Sequence, residues 1–436
     1  MNDAADERAV KKTFVRLVPW CMLIYVLSYM DRINVGFAAL TMNADLAISA
    51  QAFGFAGTAF YIFYSLCEVP SNVALTRFGA RVWIARIMVT WGVASAATMF
   101  AVGPYSLCFL RALVGAAEAG LLPGMMYYLG QWFPHEHRAR ANALFLASLP
   151  TALLIGAPVS GVILQMDGWL GLRGWQWLFL LEGIPSVFVG FAVYFLLPNR
   201  PGEAAWLTNE EKIALQSRLD SDHATVRAAH PKVRDLITEI SSPAILALGA
   251  TYFCIINTIT TFSIWAPLIV KDVLGEDHRV LLVSLVTAVP PFFAILAMQF
   301  VSTHSDRTHE RRWHLLGSMS TAAVGWVLIA RTDAVYAQMS GLCLCFMGAY
   351  AALAIFWASA AGAIPRHRQA VAIALISTIG TFASITSPAI IGYLRGVTHS
   401  FNAGAWYNTG VMIVGIGLFA VAAARNQTDK QQPSAP

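Results

Sequence analysis

The chain has 436 residues, 57% of them hydrophobic and only 12% charged, about half the charged fraction that usually covers a soluble domain. Its formal net charge of +5 comes from basic residues spread through short loops, which argues against a nucleic-acid-binding patch. Apolar runs of 18 or more residues recur, each able to cross the roughly 30 Å hydrocarbon core as a helix, so the composition points to a polytopic all-α membrane protein.

The chain starts with "MNDAADERAVKKTFVR", polar and acidic before it is basic. No small-residue cleavage site follows the first apolar run, which therefore reads as a retained helix and not as a signal peptide. Twelve spans follow, at 16–40, 53–75, 82–102, 105–131, 143–165, 175–197, 243–270, 280–302, 313–331, 336–361, 369–394 and 405–424. One long polar segment, Pro198 to Ser242, separates spans six and seven. In it, Thr208 and Glu211 have the spacing of a capping box for a short amphipathic helix; the rest reads as a solvated connector. The expected organisation is a six-helix bundle over 1–197, a cytoplasmic linker over 198–242 and a second six-helix bundle over 243–436.

Lys and Arg set the orientation. Twenty-two lie in the termini, the linker and the loops on one side, five lie on the other, and Arg32 and Arg111 fall within spans. That bias places both termini and the linker in the cytoplasm. The basic loop in "NVALTRFGARVWIAR" after span two has a counterpart in "STHSDRTHERRWH" after span eight. Such an internal repeat suggests two halves related by an axis normal to the membrane. Asp306 sits beside Arg307 and can pair locally.

Ionisable residues within spans cost at least about 2.5–3.5 kcal/mol each on insertion scales, so they normally face a water-filled pathway and a partner. The candidates are Asp31, Arg32, Glu68, Arg111, Glu118 and Glu182. Asp31 and Arg32 are adjacent, so on a helix they point about 100° apart and each must face a different neighbour. Arg111 and Glu118 lie on one face of span four, about 10.5 Å apart along the axis, with room for a ligand or water between them. Arg offers a planar fork that matches a carboxylate and stays charged when buried, so Arg32 and Arg111 are candidates for an anionic substrate. Fixed interhelical salt bridges with Asp31 or Glu118 are the alternative. A carboxyl group in a partly desolvated site beside an Arg can exchange a proton, which makes Asp31 and Glu118 the proton candidates. Glu68 suits a packing or gating role, and Glu182 a structural hydrogen bond.

The second half has almost no charge in its spans, so its contribution must be polar or aromatic. Asn257, Trp357, Ser359, Ser384, Thr386 and Ser387 are the candidates, although Ser and Thr in spans often only bond backbone carbonyls. Pro290, Pro291 and Pro388 are expected to kink spans eight and eleven. All six cysteines lie in apolar segments, which argues against a disulfide framework, and no metal site is expected. No phosphate loop, HExxH or CxxC arrangement appears in a plausible setting, so no cofactor and no enzyme activity are expected.

Six plus six spans around a central loop resemble the major facilitator superfamily. "TRFGARVWIAR" resembles its loop signature through Gly79 and Arg81; the usual acidic residue is absent, with Asn72 and Thr76 nearby. "SYMDRINVGFA", "FLRALVGAAEAGLLPGMMYYLGQWFP" and "WLFLLEGIPSVFVGFAVYFLLPNRPGEAAWLTNEEK" resemble the anion:cation symporter family within it, most closely the bacterial tartrate, aromatic-acid and sugar-acid permeases. The resemblance implies that Arg32 and Arg111 bind the anion or organise its site, that Tyr29 and Tyr64 line the substrate cavity, and that Asp31 and Glu118 couple transport to protons. The expected function is import of a small organic carboxylate with protons by alternating access. The expected partners are that anion, protons and the bilayer, and the chain is expected to act as a monomer. An anion exchanger or uniporter without proton coupling is the alternative, and a non-transporting membrane sensor of an organic anion is the reading from another class.

Overall fold

The computed structural model describes residues 3–227, 242–275, 279–364 and 369–431. Twelve of its helices are long and apolar enough to cross a membrane. They are α1 (Ala5–Asp45), α2 (Ala50–Phe78), α3 (Ala80–Phe100), α4 (Pro104–Gly130), α5 (His135–Leu164), α6 (Gly174–Leu196), α7 (Pro243–Leu274), α8 (Val280–Thr308), α9 (Arg312–Arg331), α10 (Val335–Ala360), α11 (Ala372–Thr398) and α12 (Asn402–Ala422). Every predicted span has its helix, because a segment in hydrocarbon must satisfy its backbone polar groups internally.

The helices depart from the expected spans in local ways. The first helix reaches back to Asp3, so the polar tail continues α1. α4 is broken into Pro104–Glu118 and Leu121–Gly130. Two residues explain the break. Gly120 adopts φ +85°, a left-handed conformation that costs a glycine little. Pro123 has no N–H to offer the carbonyl of Ala119 four residues earlier. α8 is interrupted at Ala288, immediately before Val289, Pro290 and Pro291. Pro388, by contrast, lies inside an unbroken helix, Gln369–Thr398.

Contacts divide the chain into two compact units. The first comprises Met1–Val35, Ala59–Gly156 and Met166–His230. The second comprises Gly36–Thr58, Ala157–Gln165 and Pro231–Pro436. Within unit one, α3 and α6 approach closely at Gly92 and Gly183. A Cβ on either glycine would come within 2.8 Å of the other's carbonyl oxygen. Small residues permit such close helix crossings in membranes, and this one brings Trp91 and Ser95 of α3 and Ser186 of α6 against α1. Gly115 of α4 lies against the backbone of Phe60 on α2, where a Cβ would come within 2.9 Å of the Phe60 carbonyl carbon.

The linker is more than a solvated connector. The predicted capping box forms: the Thr208 N–H donates to Glu211 Oε2 at 2.9 Å and the Glu211 N–H to Thr208 Oγ1 at 3.3 Å. The helix it starts, Asn209–Arg227, buries Leu215 and Leu219 in the same core as Ala9 and Val10 of the α1 extension. Lys12 Nζ donates to Glu211 Oε2 at 2.8 Å. Arg218 joins Asp6 to Glu136, the latter at 2.7 Å. The α1 extension and the linker helix thus fold together. In unit two, Asp306 pairs with Arg311 at 2.6 Å, a partner five residues on instead of the adjacent Arg307.

Candidate functional site

Asp31 and Arg32 diverge as adjacency on a helix requires. Asp31 is fully buried and turns towards α3 and α6. Its Oδ1 accepts from Ser95 Oγ at 2.7 Å and Asn34 Nδ2 at 3.2 Å. Its Oδ2 accepts from Trp91 Nε1 at 2.7 Å and Ser186 Oγ at 3.1 Å. Four donors on two oxygens replace the hydrogen bonds that a buried carboxyl group loses when it leaves water.

Arg32 turns the other way. Its Nη2 donates to Glu118 Oε1 across the α1–α4 interface, and Ser28 Oγ, one helical turn earlier on α1, donates to the same oxygen at 2.6 Å. Glu118 is fully buried, and its Oε2 has no hydrogen-bond partner among the described residues. Aromatic rings enclose the Arg32 guanidinium. Its Cζ lies 5.2 Å from the Tyr64 ring centroid, 5.4 Å from Phe60, 5.6 Å from Tyr29 and 6.0 Å from Tyr61. These distances fall in the range where a cation is attracted to a ring face.

Arg111 is 1% exposed, and its contacts are sparser. Nη1 makes one long bond, 3.5 Å, to the Asp31 carbonyl, and the guanidinium lies 4.7 Å from the Phe60 centroid. Its Nε has no partner, and among the described residues no carboxylate reaches ion-pair distance. A guanidinium carries five N–H donors, so most of the Arg111 fork is unused. Glu118 lies at the end of its half-helix, immediately before the Ala119–Gly120 break.

Asp31, Arg32, Arg111, Glu118, Tyr29 and Tyr64 are therefore brought together within unit one. Sequence reasoning missed Ser28, Phe60 and Tyr61. Ser28 is four residues before Arg32 and Tyr61 three before Tyr64, so helical spacing from the chosen residues could have found both.

Asn257 and Trp357 lie in unit two. Asn257 is buried in a neutral network. Its Nδ2 donates to Asn408 Oδ1 at 2.7 Å, and its Oδ1 accepts from Tyr407 Oη at 3.1 Å. Thr261 and Ser387 bond one another at 2.8 Å and both reach the Asn257 carbonyl. Trp357 is half-buried and packs edge-to-face on Tyr252 at 4.9 Å. Ser384 meets Thr260 at 3.0 Å, while Thr386 bonds back to the Phe382 carbonyl. Asn408, Tyr407, Thr261, Thr260 and Tyr252 are partners here that sequence reasoning did not select.

The profile of the Major Facilitator Superfamily matches residues 21–388. The chain belongs to this superfamily. A protein named putative tartrate transporter, from Agrobacterium vitis, is 38% identical over 415 residues, covering 95% of this chain and 94% of its own length. The putative metabolite transport protein NicT of Pseudomonas putida is 36% identical over 430 residues, covering 97% and 96%. Among solved structures, a D-xylose-proton symporter superposes with a TM-score of 0.71 at 14% identity, over 93% of this chain and 97% of that one. The major facilitator fold and a transport function, in place of an enzymatic one, follow for this integral membrane protein. Small organic molecules are what such relatives carry.

Proposed function

We propose that the protein imports a small organic carboxylate together with protons, by alternating access, across a bacterial-type cytoplasmic membrane with both termini in the cytoplasm. The observation that carries this reading is Arg111, a buried cation with no carboxylate partner among the described residues, over the same ring as a second guanidinium. A buried unpaired charge is costly, and an anionic ligand would relieve that cost. The tartrate name of the Agrobacterium relatives supports a carboxylate.

The Arg32–Glu118 pair supplies the coupling. A substrate carboxylate approaching Arg111 competes with Glu118 for Arg32. Once Glu118 gives up Arg32 it keeps the Ser28 hydrogen bond, and it is the carboxyl group proposed to carry the proton. Anion and proton then enter together. Asp31, held by its four donors, is the second coupling carboxyl, and Tyr29 and Tyr64 are proposed to touch substrate beside Arg32. Asn257 is proposed as a polar contact, and has to release Asn408 or Tyr407 before it can bond a ligand. Trp357 is its proposed aromatic companion.

Glu118→Gln tests the reading in proteoliposomes given external labelled tartrate, or another carboxylate found by thermal shift. The expected result is loss of accumulation driven by a pH gradient, with substrate exchange retained. Normal accumulation by this variant would remove Glu118 from the coupling, whereas a parent protein that accumulates nothing on a pH gradient would leave the exchanger or uniporter reading in its place.

A further inference from the structure

We propose that Phe60 is the positioning residue of the anion site, holding Arg32 and Arg111 at one separation through the face of its ring. The inference rests on the carboxylate-binding role of the two arginines.

The two guanidiniums come from different helices, α1 and α4, and as like charges they do not bond one another. Their shared neighbour is the Phe60 ring, 5.4 Å from the Arg32 Cζ and 4.7 Å from the Arg111 Cζ. Phe60 is fully buried on the third helix, α2. Two like charges brought together in a low dielectric repel one another. Glu118 offsets one of them through Arg32. For Arg111, among the described residues, one long carbonyl bond is joined by the cation–π contact with this ring. The negative π-face of an aromatic ring attracts a cation, more strongly once both are desolvated.

The ring is itself fixed. Gly115 of α4 lets the Phe60 backbone lie directly against α4, where any larger residue would strike the Phe60 carbonyl. Gly115 is four residues after Arg111, one turn along the same helix face. One crossing therefore sets both the position of the ring and its distance to Arg111. Tyr64 stacks on Phe60 at 6.0 Å with 26° between the planes, and Tyr61 meets it edge-on at 5.0 Å, which hold the ring plane from the side. With both forks seated against a fixed ring, the span between them is set before a substrate arrives. Such preorganisation favours affinity by reducing what must be ordered on binding.

A shape-only role and a ring-face role can be separated. Phe60 is replaced, by amber suppression, with mono-, di- and trifluorinated phenylalanine, which withdraw charge from the ring face at nearly constant shape. Tartrate and a carboxylate panel are titrated against each purified protein, beside Arg32→Ala, Arg111→Ala, Phe60→Leu and Phe60→Tyr. The expected result is a stepwise rise in Kd along the fluorinated series, several-fold at its end, about tenfold for Phe60→Leu, and recovery in Phe60→Tyr. A flat fluorinated series, with binding lost in the two arginine variants, overturns the role of Phe60 and leaves the anion site standing. If the arginine variants bind as the parent protein does, the anion site itself falls and the proposal falls with it. Thermal stability across the fluorinated series reports whether each variant is folded, and these near-isosteric rings keep the test open where Phe60→Leu fails to fold.

Discussion

Units one and two handle buried polarity in opposite ways. In unit one, the polar residues within the spans include two arginines and two carboxyl groups, with Arg32 paired to Glu118, Asp31 held by four donors and Arg111 without a carboxylate at ion-pair distance among the described residues. In unit two, Asn257, Asn408, Tyr407, Thr261 and Ser387 close a network with no charge in it. A neutral network can be satisfied completely and then responds weakly to pH or to an anion. A set of buried charges reacts to both, because each added or removed charge must be balanced locally. Ligand response and proton response are therefore expected to concentrate in unit one, with unit two contributing hydrogen bonds and rigidity.

The largest effect expected from breaking this contrast is Arg32→Ala. It leaves the fully buried Glu118 with Ser28 as its one hydrogen-bond partner among the described residues. Removing one member of a buried pair typically costs about 3–5 kcal/mol. A clear drop in the detergent melting temperature is expected, together with loss of carboxylate-induced stabilisation. Adding Glu118→Gln should restore most of the melting temperature and none of the ligand response, since the stranded charge goes but the fork stays absent. If the double variant melts no higher than the single one, the pair is not the source of the cost.

A smaller loss is expected from Asn257→Ala. The substitution takes the Asn257 donor from Asn408 Oδ1, which keeps only a longer bond from Thr261 at 3.3 Å among the described residues, and takes the acceptor from the half-buried Tyr407 hydroxyl; an unmade buried hydrogen bond costs about 1–3 kcal/mol. The pH dependence of transport should keep its shape, because no charge is altered. A shifted pH profile in this variant would show that the neutral network takes part in coupling.

Much of this contrast was legible in the sequence. Charges within apolar runs stand out, the seven-residue spacing of Arg111 and Glu118 puts both on one helix face, and the adjacency of Asp31 and Arg32 forces them apart. The partners were harder to read, because they lie far along the chain: Glu118 is 86 residues from Arg32 and 90 from Ser28. Phe60 sits in "FYIFYS", where four aromatic side chains compete and only the phase of α2 decides which of them meet the arginines. Gly120 and Pro123 were visible, but Gly and Pro are frequent in spanning helices. That they break α4 next to Glu118 depends on their acting together, one by its left-handed φ and the other by its missing N–H. The linker misled for a different reason. Its polar composition hides Leu215 and Leu219, which find their apolar partners only because the polar tail extends α1 as a helix.

The smallest effect concerns a charge pair outside the spans, and it sharpens the contrast by moving from buried to solvent-facing electrostatics. Glu211 accepts from Lys12 and from the Thr208 N–H, and these bonds hold its carboxyl below the ordinary value of 4.5. A depressed carboxyl stabilises the fold above its unfolded pKa and loses that contribution as pH falls through the folded one. Docking of the linker helix on α1 should thus be constant above about pH 4.5 and weaken only below it. Lys12 is 43% exposed, so water and salt screen the pair and the change should be modest. Hydrogen exchange over Asn209–Arg227 measures it, with protection expected to fall in acid for the parent chain. In Glu211→Gln the protection should be lower at neutral pH and nearly flat down to the same acidity. A parent-like acid response in that variant would show that Glu211 is not the group behind the transition.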